Sequence, residues 1–341
     1  MKRRLSPSQS VLFAVFFVLS AGGFGSLQAQ DHSEEKEKLN ISEVIIEHVM
    51  DHHAWHFFDG HYGTLFLPVI VYSPERGLDI FSSRHFFDEH HQPAAYNGYT
   101  LVHNKIYLGE TQVLDFSITK NVMMLFINAG LLLVVMVSVA KAYKRNAGKA
   151  PNGLQAFIEP VVLFVKDEIV RPNIGPKYER YLPYLLTLFF FILFGNLLGL
   201  LPGAGNLTGN IAVTFTLAIF SFIITNFSGN RNYWMHILWT PGVPLPLRII
   251  ILPVEIIGIF TKPFSLMIRL FAAMTAGHIV LLSLLGLTFI FRNWFVGIGA
   301  SIFVLFISLI ELLVAGIQAY VFTLFTSLYI GLAVEEHGHD H

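Results

Sequence analysis

The sequence predicts an all-α polytopic membrane protein with about five mature transmembrane helices. The last two are long and tilted, and a small N-terminal extramembrane domain precedes them all. Two observations carry this prediction. Of 341 residues, 54% are hydrophobic and 13% are charged, where soluble domains average about 25% charged. Between Tyr181 and Val334 the only Asp, Glu, Lys or Arg residues are Arg231, Arg248, Glu255, Lys262, Arg269, Arg292 and Glu311. A water-soluble fold of that length cannot cover its surface so sparsely.

Composition also excludes whole classes of function. A formal net charge of −1 leaves no basic excess to neutralise phosphates, so a generic nucleic-acid binder is excluded. High hydrophobicity excludes disorder for most of the chain. Cys is absent, which removes disulfides, thiolate metal sites, iron–sulfur clusters and cysteine nucleophiles.

Residues 1–30 read as a signal peptide. Lys2, Arg3 and Arg4 precede a short apolar run, Val11 to Leu19, and small residues follow. Cleavage near Ala29 or Gln30 would start the mature chain at about Asp31. The run is short for a membrane span, which needs about 20 apolar residues. Residues 31–119 are polar, rich in His and aromatics, and contain no span. Val69–Tyr72 and Lys105–Leu108 read as short strands between turn residues. This region is expected on the periplasmic side, as a small and partly irregular domain.

Residues 120–341 form the membrane domain. The first span is about Val122 to Ala140, and Lys141, Lys144, Arg145 and Lys149 follow it at once. Such a basic cluster stays in the cytoplasm. An outside N-terminus and an inside C-terminus then follow from five spans, in a bacterial inner membrane. Residues 154–171 mix apolar and charged positions and read as an amphipathic helix at the cytoplasmic membrane surface, a reading compatible with packing on other subunits. Tyr181–Leu201 and Ile211–Phe227 are the second and third spans. Arg231 then marks a cytoplasmic connection containing Trp234, Trp239 and three prolines, which is expected to be interfacial. The last two segments, from about Arg248 to Phe291 and Asn293 to Val334, have roughly 40 residues each. That is about 60 Å of helix, twice the hydrocarbon thickness. Each is therefore a hairpin or one steeply tilted helix. Lys262-Pro263 is a candidate break in the first; the second has neither proline nor charged turn.

Ionisable groups inside a bilayer are costly and are functional candidates by default. Arg269 lies about 20 residues from either end of its long segment and carries a permanent charge. Ala272, Ala273, Ala276 and Gly277 follow it and allow another helix to approach closely. Glu255 and Arg269, fourteen apart, share a helix face. Arg269 and His278, nine apart, fall on opposite faces. Glu311 and Gln318, seven apart, share a face on the last segment. Two separate polar stripes suit water-filled half-paths for a proton, and His278 exchanges protons near neutral pH. Lys262 and Arg292 read as snorkelling interfacial residues.

The chain has 15 histidines. His48, His52, His53, His56 and His61 cluster, as do His85, His90 and His91 with Asp88 and Glu89; His337, His339 and His341 end the chain. Imidazole and carboxylate suit zinc, copper or nickel, which raises an alternative, a metal-ion transporter with an outer capture domain. No tight ligand motif supports it, and the intramembrane charges centre on an arginine. A membrane scaffold with a partner-binding outer domain is a third reading, but it leaves Arg269 unexplained.

Several residues together resemble subunit a of the F-type ATP synthase, the stationary ion-conducting partner of the rotating c-ring. They are Arg269-Leu270-Phe271 with Ala276-Gly277-His278, Glu311 seven before Gln318, Glu255 fourteen before the arginine, Lys262-Pro263, and Gly195-Asn196-Leu197-Leu198-Gly199-Leu200-Leu201-Pro202. The resemblance covers roughly residues 115–336. It implies that Arg269 faces the c-ring carboxylate and blocks a short circuit between two offset half-channels. It implies that His278 and Glu311 line the outer half-channel, that Gln318 lies near the arginine, and that Glu255 lies near the same path. The order of His and Glu is reversed in some family members. Ala273 stands where the family usually has Asn. The implied partners are the c-ring, subunit b or the peripheral stalk, and the lipid membrane. The implied cargo is protons, with sodium left open because the ion-binding carboxylate sits on the ring. No cofactor and no resident metal are implied. The resemblance also implies that nucleotide chemistry belongs to other subunits, and the chain itself has no GxxxxGK[ST] loop.

Overall fold

The structure, a computed structural model, describes residues 51–56, 64–87, 94–102, 104–146, 148–201, 203–239, 244–291 and 294–335. The expected signal peptide, half of the clustered histidines (His48, His61, His90 and His91), Arg292 and the C-terminal histidines lie outside them.

The N-terminal region is more regular than its sequence suggests. Its strands are β1 (Ala54–His56), β2 (Thr64–Phe66), β3 (Pro68–Ser73), β4 (Gly77–Ser82), β5 (Tyr99–Val102), β6 (Lys105–Leu108), β7 (Thr111–Gln112) and β8 (Leu114–Asp115). They form an antiparallel β1-β2 pair and two three-stranded sheets, ordered β4-β3-β8 and β5-β6-β7. The two expected strands are β3 and β6. In β3, Val69, Val71 and Ser73 are buried while Tyr72 is exposed, the period of two that places alternate side chains on opposite faces. Asn104 takes the left-handed conformation, with φ 64°, in the tight turn between β5 and β6, a role that suits Asn. Val69, Val71, Phe86, Tyr99, Ile106 and Val113 form the core between these sheets.

Eight helices follow: α1 (Lys120–Arg145), α2 (Leu154–Phe164), α3 (Arg171–Ile174), α4 (Tyr178–Gly199), α5 (Ile211–Phe227), α6 (Arg231–Leu238), α7 (Leu245–Phe291) and α8 (Trp294–Val334). Thr119 caps α1, accepting a hydrogen bond from the Val122 amide, and Asn210 caps α5 through the Ala212 amide. Four apolar helical stretches are long enough to cross a membrane: 120–145, 154–199, 247–286 and 297–334. Helix α5, at 17 residues, is the shorter fifth.

Two expectations are revised. The segment after Leu154 does not simply lie on a surface. Through the π-turn Val165–Val170 and α3 it runs on into α4, and Val165, Ile169, Val170 and Ile174 are buried in the main core. Phe157 and Leu154 remain exposed on its other side. Lys262-Pro263 does not break the helix either: α7 continues for 47 residues through Pro253 and Pro263. Both long segments are thus single helices, about 70 and 60 Å long at 1.5 Å per residue. Membrane helices tolerate proline where neighbouring helices and polar side chains satisfy the freed carbonyl. Ser221, Thr225 and Asn226 of α5 line a small cavity with Ile259 and Pro263.

The core of the helical domain is built on α4, whose Leu185, Phe190 and Ile192 are fully buried. Helix α8 packs against α4 and α7, and α7 packs against α5. Gly331 of α8 meets the Asn173 backbone carbonyl where a Cβ would stand, so that crossing admits only glycine.

The N-terminal sheets are tied to the helices through the first described residues. The Trp55 indole donates to the Gly203 carbonyl at 2.6 Å. The Lys120 amide donates to the His52 carbonyl at 2.9 Å, and the Asn121 amide to Asp51 at 3.0 Å. His53 is 3% exposed and lies between two acceptors, Asp115 Oδ2 at 2.8 Å and Asn104 Oδ1 at 3.2 Å. Burial alone disfavours its charged form. The hydrogen bond and charge of Asp115, with smaller help from Asn104 and Asp51, outweigh that and hold its pKa above the ordinary histidine value. The same pairing and the Ser117 amide overcome burial at Asp115 and hold its pKa low. A raised histidine pKa adds stability that is complete below the unfolded value of about 6.5 and is lost as pH rises through the folded value. Amide exchange over residues 51–56 is therefore expected to speed up above neutral pH, beyond the intrinsic base catalysis measured on unfolded peptide. His53→Gln is expected to abolish that extra pH dependence. An unchanged profile in the variant would show that the imidazolium does not hold the tie.

Candidate functional site

Helices α7 and α8 are consecutive and antiparallel, and they bring residues 33 to 67 positions apart into contact. His278 Nδ1 lies 3.0 Å from Glu311 Oε1. With Glu311 ionised, that bond requires the proton on Nδ1. Glu311 is 4% exposed, and its Oε2 has no hydrogen-bond partner among the described residues. Leaving such an atom bare costs about 1–3 kcal/mol, more for a charged group, so this oxygen is an open acceptor for a proton or a water.

Gly277 makes room for the carboxylate. A Cβ there would stand 2.6 Å from Glu311 Oε1 and about 3.1–3.2 Å from Cγ and Cδ. Alanine is the better helix former by about 1 kcal/mol, yet overpacking costs about 1–3 kcal/mol. Gly277→Ala is expected to lower the thermal midpoint and to displace Glu311 from His278. A midpoint raised by the helix-propensity gain would show that the carboxylate moves away freely.

Buried amides hold both helices beside this pair. Asn196 of α4 donates to the Ala315 carbonyl at 3.2 Å and accepts from Thr208 Oγ1 at 2.6 Å. Asn206, in the loop after α4, donates to the Met274 carbonyl at 3.4 Å, and its oxygen accepts from the Gly209 amide at 2.9 Å. Ala315 and Met274 each lie four residues, one helical turn, from Glu311 and His278. Asn206 thus supplies an amide next to Ala273. Asn206 and Thr208 were missed in the sequence. Their signal was a polar pair in an uncharged, glycine-flanked loop, Gly205-Asn206-Leu207-Thr208-Gly209.

Arg269 lies elsewhere on α7. Its guanidinium sits 4.5 Å from the centre of the Phe325 ring, a cation–π contact worth about 0.5–2 kcal/mol. Among the described residues no carboxylate lies within ion-pair distance of it. Phe325 is the residue that spacing should have flagged: Glu311, Gln318 and Phe325 recur every seven residues on one face of α8. Gln318 is half-buried and makes no hydrogen bond among the described residues. Lys262 does not snorkel outward. Its Nζ lies 5.3 Å from the Tyr329 ring centre, and it lines the small cavity with Ser221, Asn226, Tyr233 and Tyr329. The Asn226 Oδ1 is buried without a partner among the described residues. Glu255 stays apart from Arg269 and His278; it acts electrostatically on Tyr233 of α6. The structure therefore pairs His278 with Glu311, keeps Arg269 nine residues, or about two and a half helical turns, from His278, and sets polar groups on both sides of the arginine.

A model of the family described as ATP synthase A chain matches residues 122–331. The chain belongs to that family. A domain of unknown function matches residues 44–122, the region of the outer sheets. Curated relatives agree with the family. "ATP synthase subunit a 2" of Chlorobaculum tepidum is 51% identical over 227 residues, 64% of each chain. "ATP synthase subunit a" of Chloroherpeton thalassium is 47% identical over 234 residues, 66% of this chain and 70% of that one. "ATP synthase subunit a" of Pelodictyon phaeoclathratiforme is 40% identical over 322 residues, 92% of this chain and 81% of that one.

The family accounts for the arginine-centred helices, and with its long apolar helices it makes the chain a multi-pass membrane protein. It leaves the metal-transporter reading without support. Among the described residues no three His, Asp or Glu side chains group to hold a metal ion. His48, His61, His90 and His91 lie outside them.

Proposed function

We propose that this chain is the stationary ion-conducting subunit of an F-type ATP synthase, working against a rotating ring of c subunits. The observation that carries the proposal is Arg269: a permanent charge on an apolar helix, held by an aromatic ring, with no carboxylate among the described residues within ion-pair distance. A carboxylate on a partner chain is the group that completes it. Attraction at low dielectric is strong and lowers the pKa of that carboxylate. A ring site passing Arg269 gives up its proton, and lipid elsewhere favours the neutral form. Rotation then carries protonated sites through lipid and ionised sites past the arginine.

In this reading protons enter from the outer side through Glu311 and His278. They leave toward the inner side past Lys262, Tyr329 and the cavity beside Pro263. The basic cluster after α1 sets the inside, which leaves the N-terminal domain outside and the C-terminus in the cytoplasm. Subunit b or the peripheral stalk would hold the chain against the ring.

Cysteine cross-linking tests the arrangement, because the chain has no native cysteine. Single cysteines at Ile268 and Ala272, both exposed, are to be paired with cysteines flanking the ring carboxylate of the same organism. Intersubunit disulfides are expected. Failure at all pairs in an inserted, folded chain would remove Arg269 from the ring.

A further inference from the structure

The outer domain carries an apolar face that its own core does not cover. In the sheet β4-β3-β8, pairing places Leu78, Tyr72 and Leu114 in one row. Ile80 and Ile70 pair in the next row, and the Phe116 amide donates to the Ile70 carbonyl at 2.8 Å. Leu78, Ile80, Leu114 and Phe116 are each 60–66% exposed and Tyr72 is 44% exposed. The charged residues of these strands point the other way: Asp79 accepts from the Tyr99 hydroxyl and Asp115 pairs with His53. The outward face is thus two adjoining rows of apolar side chains without a charge. Contiguous exposed apolar surface marks a protein or membrane contact.

Position separates these two. Phe116 is four residues from Lys120, the first residue of α1, and so lies within about 14 Å of it at full extension. Helix α1 has 26 residues, about 39 Å, enough for the roughly 30 Å hydrocarbon core and most of one headgroup layer. Its outward Phe126, Leu133 and Val134 are 57–66% exposed and face lipid. The uncharged sheet face therefore lies within reach of the bilayer surface, in chain continuity with α1. Tyr72 adds an aromatic of the kind enriched at membrane interfaces. The ties from Trp55, Lys120 and Asn121 hold the domain at that height.

We propose that this face rests on lipid of the outer leaflet, with Leu78, Ile80, Leu114 and Phe116 seated at the boundary of headgroups and acyl chains, as in monotopic anchors. The inference rests on α1 crossing the membrane and is independent of the ion path.

The test uses the full chain in its complex, reconstituted in vesicles of phosphatidylethanolamine and phosphatidylglycerol. Spin labels are attached at Ile80→Cys and at Leu114→Cys, with Leu133→Cys as the lipid control and Glu110→Cys as the aqueous control. These positions are exposed, so the core is left intact. Collision with dissolved oxygen is expected to exceed collision with an aqueous nickel chelate at residues 80 and 114, reversing the ratio seen at 110. A nickel-accessible label at both sites overturns the proposal. Labels shielded from both reagents also overturn it, by showing a protein chain on the face. The Leu133 label reports separately whether α1 is in lipid.

Discussion

Arg269→Ala is expected to leave the membrane complex assembled and to reduce proton-coupled ATP synthesis to background. Arg269 is half-buried against the Phe325 ring, and among the described residues no carboxylate lies within ion-pair distance of it, so truncation removes a weak intramolecular interaction and strands no described buried carboxylate. Stability should change little. The lost charge, by contrast, is the group proposed to force ring carboxylates to ionise and to separate the two half-paths. Without it the ring site keeps its proton and no net step is taken. The experiment measures ATP synthesis in energised membrane vesicles together with subunit content after detergent extraction. Normal coupled synthesis by an assembled variant would sink the assignment. Absence of the chain from the complex would show instead that Arg269 is needed for assembly.

Neutralising either member of the His278–Glu311 pair, by His278→Ala or Glu311→Gln, is expected to cut proton flux about a hundredfold, the scale on which a positioned acid–base group acts. The two groups touch at 3.0 Å, and the remaining carboxylate oxygen has no partner among the described residues, so in the proposed path a proton passes between them without rearrangement. The double exchange, His278→Glu with Glu311→His, keeps one imidazole and one carboxylate in the same space and should restore part of the flux. Gly277 limits the exchange, because an imidazole at 311 must fit the slot that the carboxylate now fills. Unchanged flux in both single variants would remove the pair from the path.

How much of this was legible varies by residue. Burial cost alone singles out Arg269, Glu311 and His278 wherever they point, since any ionisable group in such an apolar stretch needs a purpose. Helix length was equally plain, because a run of some 40 apolar residues leaves few ways to fold. The fate of Pro263 was not. Whether proline breaks a helix depends on what satisfies the freed carbonyl, and the α5 side chains that line that cavity lie about 40 residues earlier in the chain. Lys262 was misplaced for a related reason: its reach allows either an interface or a ring on a neighbouring helix, and Tyr329 decides it. The outer sheets were only partly visible, as β7 and β8 have two residues each and carry no periodicity to read.

The sequence by itself determined that the chain lives in a membrane, that a fixed positive charge lies in one of two long helices, and that polar groups follow it at helical spacings. These are properties of composition and of positions within single helices, which local geometry dictates. Only the tertiary structure decided that Glu311 meets His278, that Gly277 is glycine to admit the carboxylate, and that Arg269 rests on Phe325 with no carboxylate among the described residues beside it. Those facts depend on the register between two helices set by packing against α4 and α5, and no spacing within one helix encodes the register of another.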